Sequence, residues 1–289
     1  MGTSTSVGRG RPVAGGAGTT VGRPGNTGPP AARPEESSRH QTDRSEEPAM
    51  TATATAADLF SAVDVPVAPA TRFRRRVTGA VAVLGGLVTA AGFAATNWET
   101  AEGKLAYLDS LVADPVRSQV AALLLHYGYL GIVPVLLALG IMTRRRSRIA
   151  GNVGMALAVP GALALPGLLV TDFYDIAIRQ SLPADQAVAV SDAAQALPLA
   201  GLMLAGPVLM LTFVGMTVLG VAAWRAGFFH WVPTLLVPLM VVGAVALPIG
   251  AVSGIVQGAC LGLFMVAVGV AVLRMTDQEW VGGSRGAGR

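Results

Sequence analysis

Apolar residues in this chain run in blocks instead of alternating with polar ones. From Val77 onward, stretches of about twenty Ala, Val, Leu, Gly and Met residues follow one another with short polar breaks. The central pair sets the pattern: Val120 to Met142 and Ile149 to Val170 flank Arg144, Arg145, Arg146 and Arg148. At about 1.5 Å rise per residue each block makes a helix of roughly 33 Å, enough for a hydrocarbon core of about 30 Å. A soluble helix would carry a charged face, and neither block has one; His126 and Asn152 are their polar exceptions. The pair predicts a transmembrane hairpin. Clustered guanidinium groups resist translocation, so the arginine turn is expected in the cytoplasm and the far helix ends outside.

Extended along the chain, this pattern predicts an all-α, polytopic membrane helix bundle of six spans, at 77–98, 120–142, 149–170, 196–224, 231–252 and 255–273, within a domain covering 72–274. Both termini are then cytoplasmic. Five or seven spans would follow if the closely spaced last pair formed one re-entrant element or the loop after Val170 dipped inward. Arg72, Arg74, Arg75 and Arg76 precede the first span; Gly85, Gly86 and Gly92 give it a smooth flank, and Trp98 ends it at headgroup level. The acidic segment Glu99 to Gln119 is expected outside, with Leu105, Leu108, Leu111 and Val112 forming the stripe of an interfacial helix. Asp114-Pro115 reads as an N-cap followed by proline at the first helical position. Thr171 to Gln195 is a second acidic outer segment, with a turn and helix start at Ser181-Leu182-Pro183.

Pro198 and Pro207 should bend the fourth span, and Pro233, Pro238 and Pro248 recur in the fifth. Arg225 and His230 fall in a short inner turn, and Ser253-Gly254 is read as the tight turn into the sixth span. Residues 275–289 are read as a short cytoplasmic tail.

Residues 1–71 are a different polymer, rich in Gly, Pro, Ser, Thr and Ala and poor in large apolar side chains. Such a segment buries too little to offset its ordering entropy, so it is read as a disordered cytoplasmic tail, with one or two helical turns expected over 57–63. Its opening Met1-Gly2-Thr3-Ser4-Thr5-Ser6 fits a myristoylation pattern too short to carry weight. No cleavable signal peptide is visible at the amino terminus, and Met50 is an alternative start.

Composition agrees with the blocks. Of 289 residues 52% are hydrophobic and 13% charged, half the charge of an ordinary soluble domain. The net charge of +4 is explained by basic residues flanking the spans; they do not interleave with aromatics on one face, which argues against a nucleic-acid partner. Twelve Lys or Arg fall on expected inner segments after the tail and three on outer ones, the asymmetry that orients membrane proteins. A single cysteine, Cys260, leaves no intramolecular disulfide and no cysteine metal cluster.

Chemistry is sparse. The best group faces outward: His126 with Tyr127 and Tyr129 below the outer end of the second span, and Asp172, Tyr174 and Asp175 at the outer end of the third. A histidine beside two carboxylates could bind a divalent metal, relay protons or hold a cation. Asp172 and Asp175, at i and i+3, share a face if that helix continues. The plainer alternative makes the tyrosines an interfacial belt, the aspartates solvated and His126 bonded to a partner helix, and it is the one preferred. No cofactor or catalytic motif is found, and a zinc-peptidase pattern is excluded by the three scattered histidines. Gly254, Gly258 and Gly262, with Gly269 beyond, form a ridge without side chains, suited to packing within the chain or to a homo-oligomer seam; Gln257, Asn152 and Thr212 are read as polar links between helices.

The arginine-rich tail, the Arg144 to Arg148 inner turn between Ala/Leu/Val/Gly spans and Thr171-Asp172-Phe173-Tyr174-Asp175 after the third span resemble, in style, the uncharacterised multi-pass integral membrane proteins of actinobacteria. The resemblance covers about Arg72 to Arg274; it implies a plasma-membrane location and carries over no catalytic residues. The leading functional expectation is a non-enzymatic scaffold or accessory subunit, partnered by the lipid bilayer and other membrane subunits or copies of itself. The alternatives are a small permease or transport subunit, and a membrane enzyme or metal-binding sensor using His126, Asp172 and Asp175.

Overall fold

A computed structural model describes residues 68–198, 200 and 206–283. The tail, its expected turns over 57–63 and the alternative start at Met50 lie outside the described residues, as do 199 and 201–205 inside the expected fourth span. The chain divides at Val63/Asp64, and all that follows concerns the second unit.

The described residues are helical, with no strand among them. The helices are α1 (Pro69–Ala95), α2 (Lys104–Ala113), α3 (Pro115–Leu130), α4 (Ile132–Thr143), α5 (Arg148–Ser181), α6 (Ala184–Gln195), α7 (Gly206–Arg225), α8 (Trp231–Ala246), α9 (Ala251–Arg274) and α10 (Asp277–Gly282). Five are long and apolar enough to cross a membrane, taking α3 with α4 as one; α8, at 16 residues, is a shorter apolar helix. Large apolar side chains cover the outside of the bundle, Ile149 at 82% exposure and Val245 at 85% among them, as in a protein whose solvent is hydrocarbon.

Each boundary has a local cause. Pro69 opens α1 at its first position, earlier than the expected 77, so Arg72 to Arg76 belong to the helix. Asp114 caps α3, its carboxylate accepting from the Arg117 amide at 3.1 Å with Pro115 following, as the sequence predicts. The second span breaks at Gly131 because Pro134 has no N–H to give the Leu130 carbonyl and crowds it. The third does not stop at Val170: α5 continues to Ser181, a rod of roughly 50 Å that projects well past a bilayer core. The expected turn at Ser253-Gly254 is corrected. Chain reversal occurs over 247–250, where Gly250 has φ 140°, and both Ser253 and Gly254 lie inside α9. The helix expected as the fifth span accordingly ends at Ala246 instead of 252.

Helix directions alternate, so 68 and 283 fall at one end of the bundle, with the arginine turn. Helices α1, α3, α5, α7, α8 and α9 contact one another in a ring, and α4, which continues α3, turns one face into it, touching α1, α5, α7 and α9, while Leu137 on its other face is 54% exposed. Ile132, Val135, Ala138, Leu139 and Met142 of α4 are fully buried and fill the axis with Phe264, Met265, Val268 and Met216. The segment after Arg274, expected to be a plain tail, instead makes α10: Thr276 and Glu279 form a capping box, and Trp280 packs into the core. Asp277 there accepts from Arg72 and Arg75, each at 3.0 Å, and Arg75 also donates to the last carbonyls of α9. These two guanidinium groups, Arg72 first, hold the Asp277 carboxyl below the usual carboxylate range.

Candidate functional site

The polar chemistry gathers at the end opposite the arginine turn, where α2 lies across the projecting top of α5. Helix α2 carries Lys104, Tyr107, Leu108 and Leu111 at helical spacing, and this face is the one turned inward, with Leu108 and Leu111 buried. The expected stripe is rotated, since Leu105 is 41% exposed. Three side-chain links fasten α2 to α5. The Tyr107 hydroxyl donates to Asp172 Oδ1 at 2.6 Å, Lys104 Nζ lies 3.8 Å from Asp175 Oδ2, and Arg179 donates to Asp109 at 2.7 Å.

Asp175 is buried and also accepts from Ser191 of α6 at 2.9 Å, so it ties three helices together. Burial, followed by the Asp172 carboxylate, pushes the Tyr107 phenol well above its usual range, and it remains a proton donor at any physiological pH.

Beside this link opens a cleft of about 730 Å³ whose polar lining includes Glu99, Lys104, Tyr107, Asp172, Asp175 and Asp192, with Leu168 and Leu169 also lining it. Four carboxylates against one ammonium make it acidic. A second cleft, of about 800 Å³, lies on the other flank of α2 between Asn97, Asp109, Arg117 and Gly250. Arg117 is structural here: its guanidinium donates to the carbonyls of Ala95 and Ala94, closing the carboxyl end of α1.

The structure separates the residues from which the sequence suggested a metal site. Asp172 and Asp175 share the upper end of α5 as the i, i+3 spacing requires. His126 instead turns to α5 lower down, its Nδ1 2.9 Å from the Pro166 carbonyl. A carbonyl oxygen only accepts, so Nδ1 carries the proton and the ring serves as an interhelical link. Among the described residues no three His, Cys, Asp or Glu side chains come together as a metal-holding group. Tyr129 is buried, and Tyr127 and Tyr174 are exposed. Trp98, expected at the headgroups, folds back to donate to the Phe93 carbonyl at 3.2 Å and stacks on Phe93.

The glycine ridge is covered by the chain itself. A Cβ added to Gly254 would strike Trp98, one at Gly258 would strike Phe93, and one at Gly262 would meet the Gly86 carbonyl oxygen at 2.6 Å. Gly269 faces the Gly79 carbonyl in the same way. Gln257 bonds Ser253 of its own helix at 3.0 Å, and Asn152 is exposed, so neither links helices as expected. Thr212 does lie in a helix seam, against Gly161 of α5, with its buried hydroxyl unpartnered among the described residues.

Sequence reading missed Tyr107, Lys104 and Ser191 as partners of the two aspartates. The i, i+3, i+4, i+7 spacing of Lys104, Tyr107, Leu108 and Leu111 was the available signal. Comparison with known proteins gives no matching family model, no similar curated protein and no similar solved structure.

Proposed function

We propose that this protein is a non-enzymatic component of the bacterial plasma membrane, a scaffold or accessory subunit of six spans. Its arginine-rich end faces the cytoplasm, and α2, α6 and the top of α5 form an ordered cap outside. The observation that carries this reading is the filled axis. The inner face of α4 fills the place where a conducting or alternating-access protein would keep polar groups, and it does so with Ile132, Val135, Leu139 and Met142. Charged side chains collect instead at the two ends, where several of them fasten helices to one another. The twelve-to-three distribution of basic residues supports the orientation. Helix α8 is about 24 Å long, and local thinning of the bilayer together with the apolar residues 247–249 makes up the difference for a sixth span.

Pro160 and Pro166 inside α5, and Pro238 inside α8, favour a second reading as a small transport subunit, because helices with freed carbonyls are the parts that bend. Two measurements separate and test these readings. In a Cys260→Ser background, membrane-impermeant maleimide should label Ser181→Cys and Ile249→Cys in intact cells, but Ser147→Cys and His230→Cys only after lysis. Labelling of Ser147→Cys from outside would overturn the orientation, and labelling of His230→Cys and Ile249→Cys from the same side would reduce the spans to five. Proteoliposomes should pass ions and small metabolites no faster than protein-free vesicles; saturable flux would replace the scaffold reading with the transport one.

A further inference from the structure

Helix α2 is a short element laid over one carboxylate of α5. It packs on α3, α5 and α6, with the two clefts described above on its flanks. Gly103, at φ 109°, starts it, and Asp114, in an extended conformation, separates it from α3. These two residues let the chain turn at either end of α2 without disturbing the helix itself. Its buried apolar anchors are Leu108 and Leu111. With so little apolar anchorage, the polar contacts decide how firmly α2 is held.

Asp172 is the group those contacts surround. It lies past Val170, the expected outer end of the third span, and its Oδ1 accepts from the Tyr107 hydroxyl at 2.6 Å. Its other charged or titratable neighbours among the described residues are Lys104 of α2, Glu99 before it, Asp175 of α5, Asp192 of α6 and Tyr129 of α3. His126 is turned away, to the Pro166 carbonyl. Burial pushes the Asp172 carboxyl up to about 6, against the Tyr107 hydrogen bond and Lys104, with the Asp175 and Glu99 carboxylates adding to the rise.

Lifting α2 returns Asp172 to water and to an ordinary carboxyl value of about 4. Between about pH 4 and 6 the docked form therefore binds more protons than the undocked one. Docking strengthens as pH falls through about 6 and gains nothing further below about 4. The proton comes from the medium and goes to Oδ2, leaving Oδ1 to accept from Tyr107 as before. We infer that α2 is a pH-sensitive lid: protonation of Asp172 fastens it onto α5, and loss of that proton loosens it. What the lid governs is access to the two clefts on its flanks. The inference stands on the α2/α5 contact and is independent of the scaffold reading and of which side of the membrane this end faces.

The test is hydrogen exchange of the full-length chain in detergent, read as protection of the amides over 104–113 relative to intrinsic exchange at each pH. Protection should rise by about tenfold from about pH 7.5 to about pH 5, the change that one proton on a carboxyl of this value gives, while protection of α9 stays the same. Asp172→Asn should abolish the rise. Tyr107→Phe removes a bond that favours the carboxylate, so it should lower protection at neutral pH and move the rise to higher pH. His126→Gln should keep the rise. The pairs Lys104–Asp175 and Arg179–Asp109 are present in all these chains, so the difference between wild type and Asp172→Asn isolates Asp172. Protection that is flat or falls on acidification of the wild-type chain overturns the inference without any variant, and a rise that persists in Asp172→Asn overturns it as well.

Discussion

Gly86 and Gly262 show what single residues do in this fold. Each presents bare backbone to the other across the α1/α9 contact, and a Cβ added at Gly262 would come within 2.6 Å of the opposing carbonyl oxygen. Backbone on one side and backbone on the other leaves nothing soft to yield. Gly86→Val should therefore destabilise the bundle by at least the about 1–3 kcal/mol typical of overpacking, read as a lower thermal midpoint in detergent. Gly167 has open space where its Cβ would go, so Gly167→Ala should be neutral or slightly stabilising in the same assay. A glycine-rich α9 was visible in the sequence. Which of its glycines meets a carbonyl and which meets the Trp98 indole was not, because that depends on how α1 lies against it.

At the scale of elements, two short helices are held to the bundle by polar contacts, and each can be released separately. Helix α2 depends on the Tyr107 hydroxyl, and removing it leaves Asp172 without its donor. Tyr107→Phe should cost about 1.5–3 kcal/mol, the range for a hydrogen bond to a charged acceptor, and should speed amide exchange across 104–113 while leaving α9 unchanged. Helix α10 depends on Asp277 between Arg72 and Arg75. Because the folded-state pKa of Asp277 is depressed, the clasp contributes fully above the unfolded carboxyl value and is lost as pH falls through the lower, folded one. Protection of the amides over 276–283, relative to intrinsic exchange, should thus be full above the ordinary carboxylate range and fall progressively as pH drops through that range toward the lower folded value. In Asp277→Asn it should be low throughout. The Asp114-Pro115 start of α3 was legible because a cap is a local matter of adjacent residues. The α10 clasp was not, since Arg72 and Asp277 lie 205 residues apart.

At the largest scale, the second unit is a ring of helices packed on the inner face of α4. In a bilayer the released side chain finds lipid as apolar as the core, so the transfer part of a truncation is small and the lost packing remains. Leu139→Ala, at the fully buried centre of α4, should destabilise by about 2 kcal/mol, the low end of the usual range, and should not create flux in proteoliposomes. By itself the sequence determined that the chain is helical and that its long blocks suit a membrane. It also determined that its two ends differ in charge, because length, hydropathy and the positions of arginine and aspartate are properties read along one dimension. Only the tertiary structure decided that the second span breaks at Gly131 so that α4 turns one face onto α1, α5, α7 and α9, that His126 goes to the Pro166 carbonyl and not to the aspartates, and that Tyr107 claims Asp172. Those outcomes depend on which helix faces which across the bundle. Several facing arrangements satisfy the same apolar pattern, and close packing of backbone, glycine and side chain selects one of them.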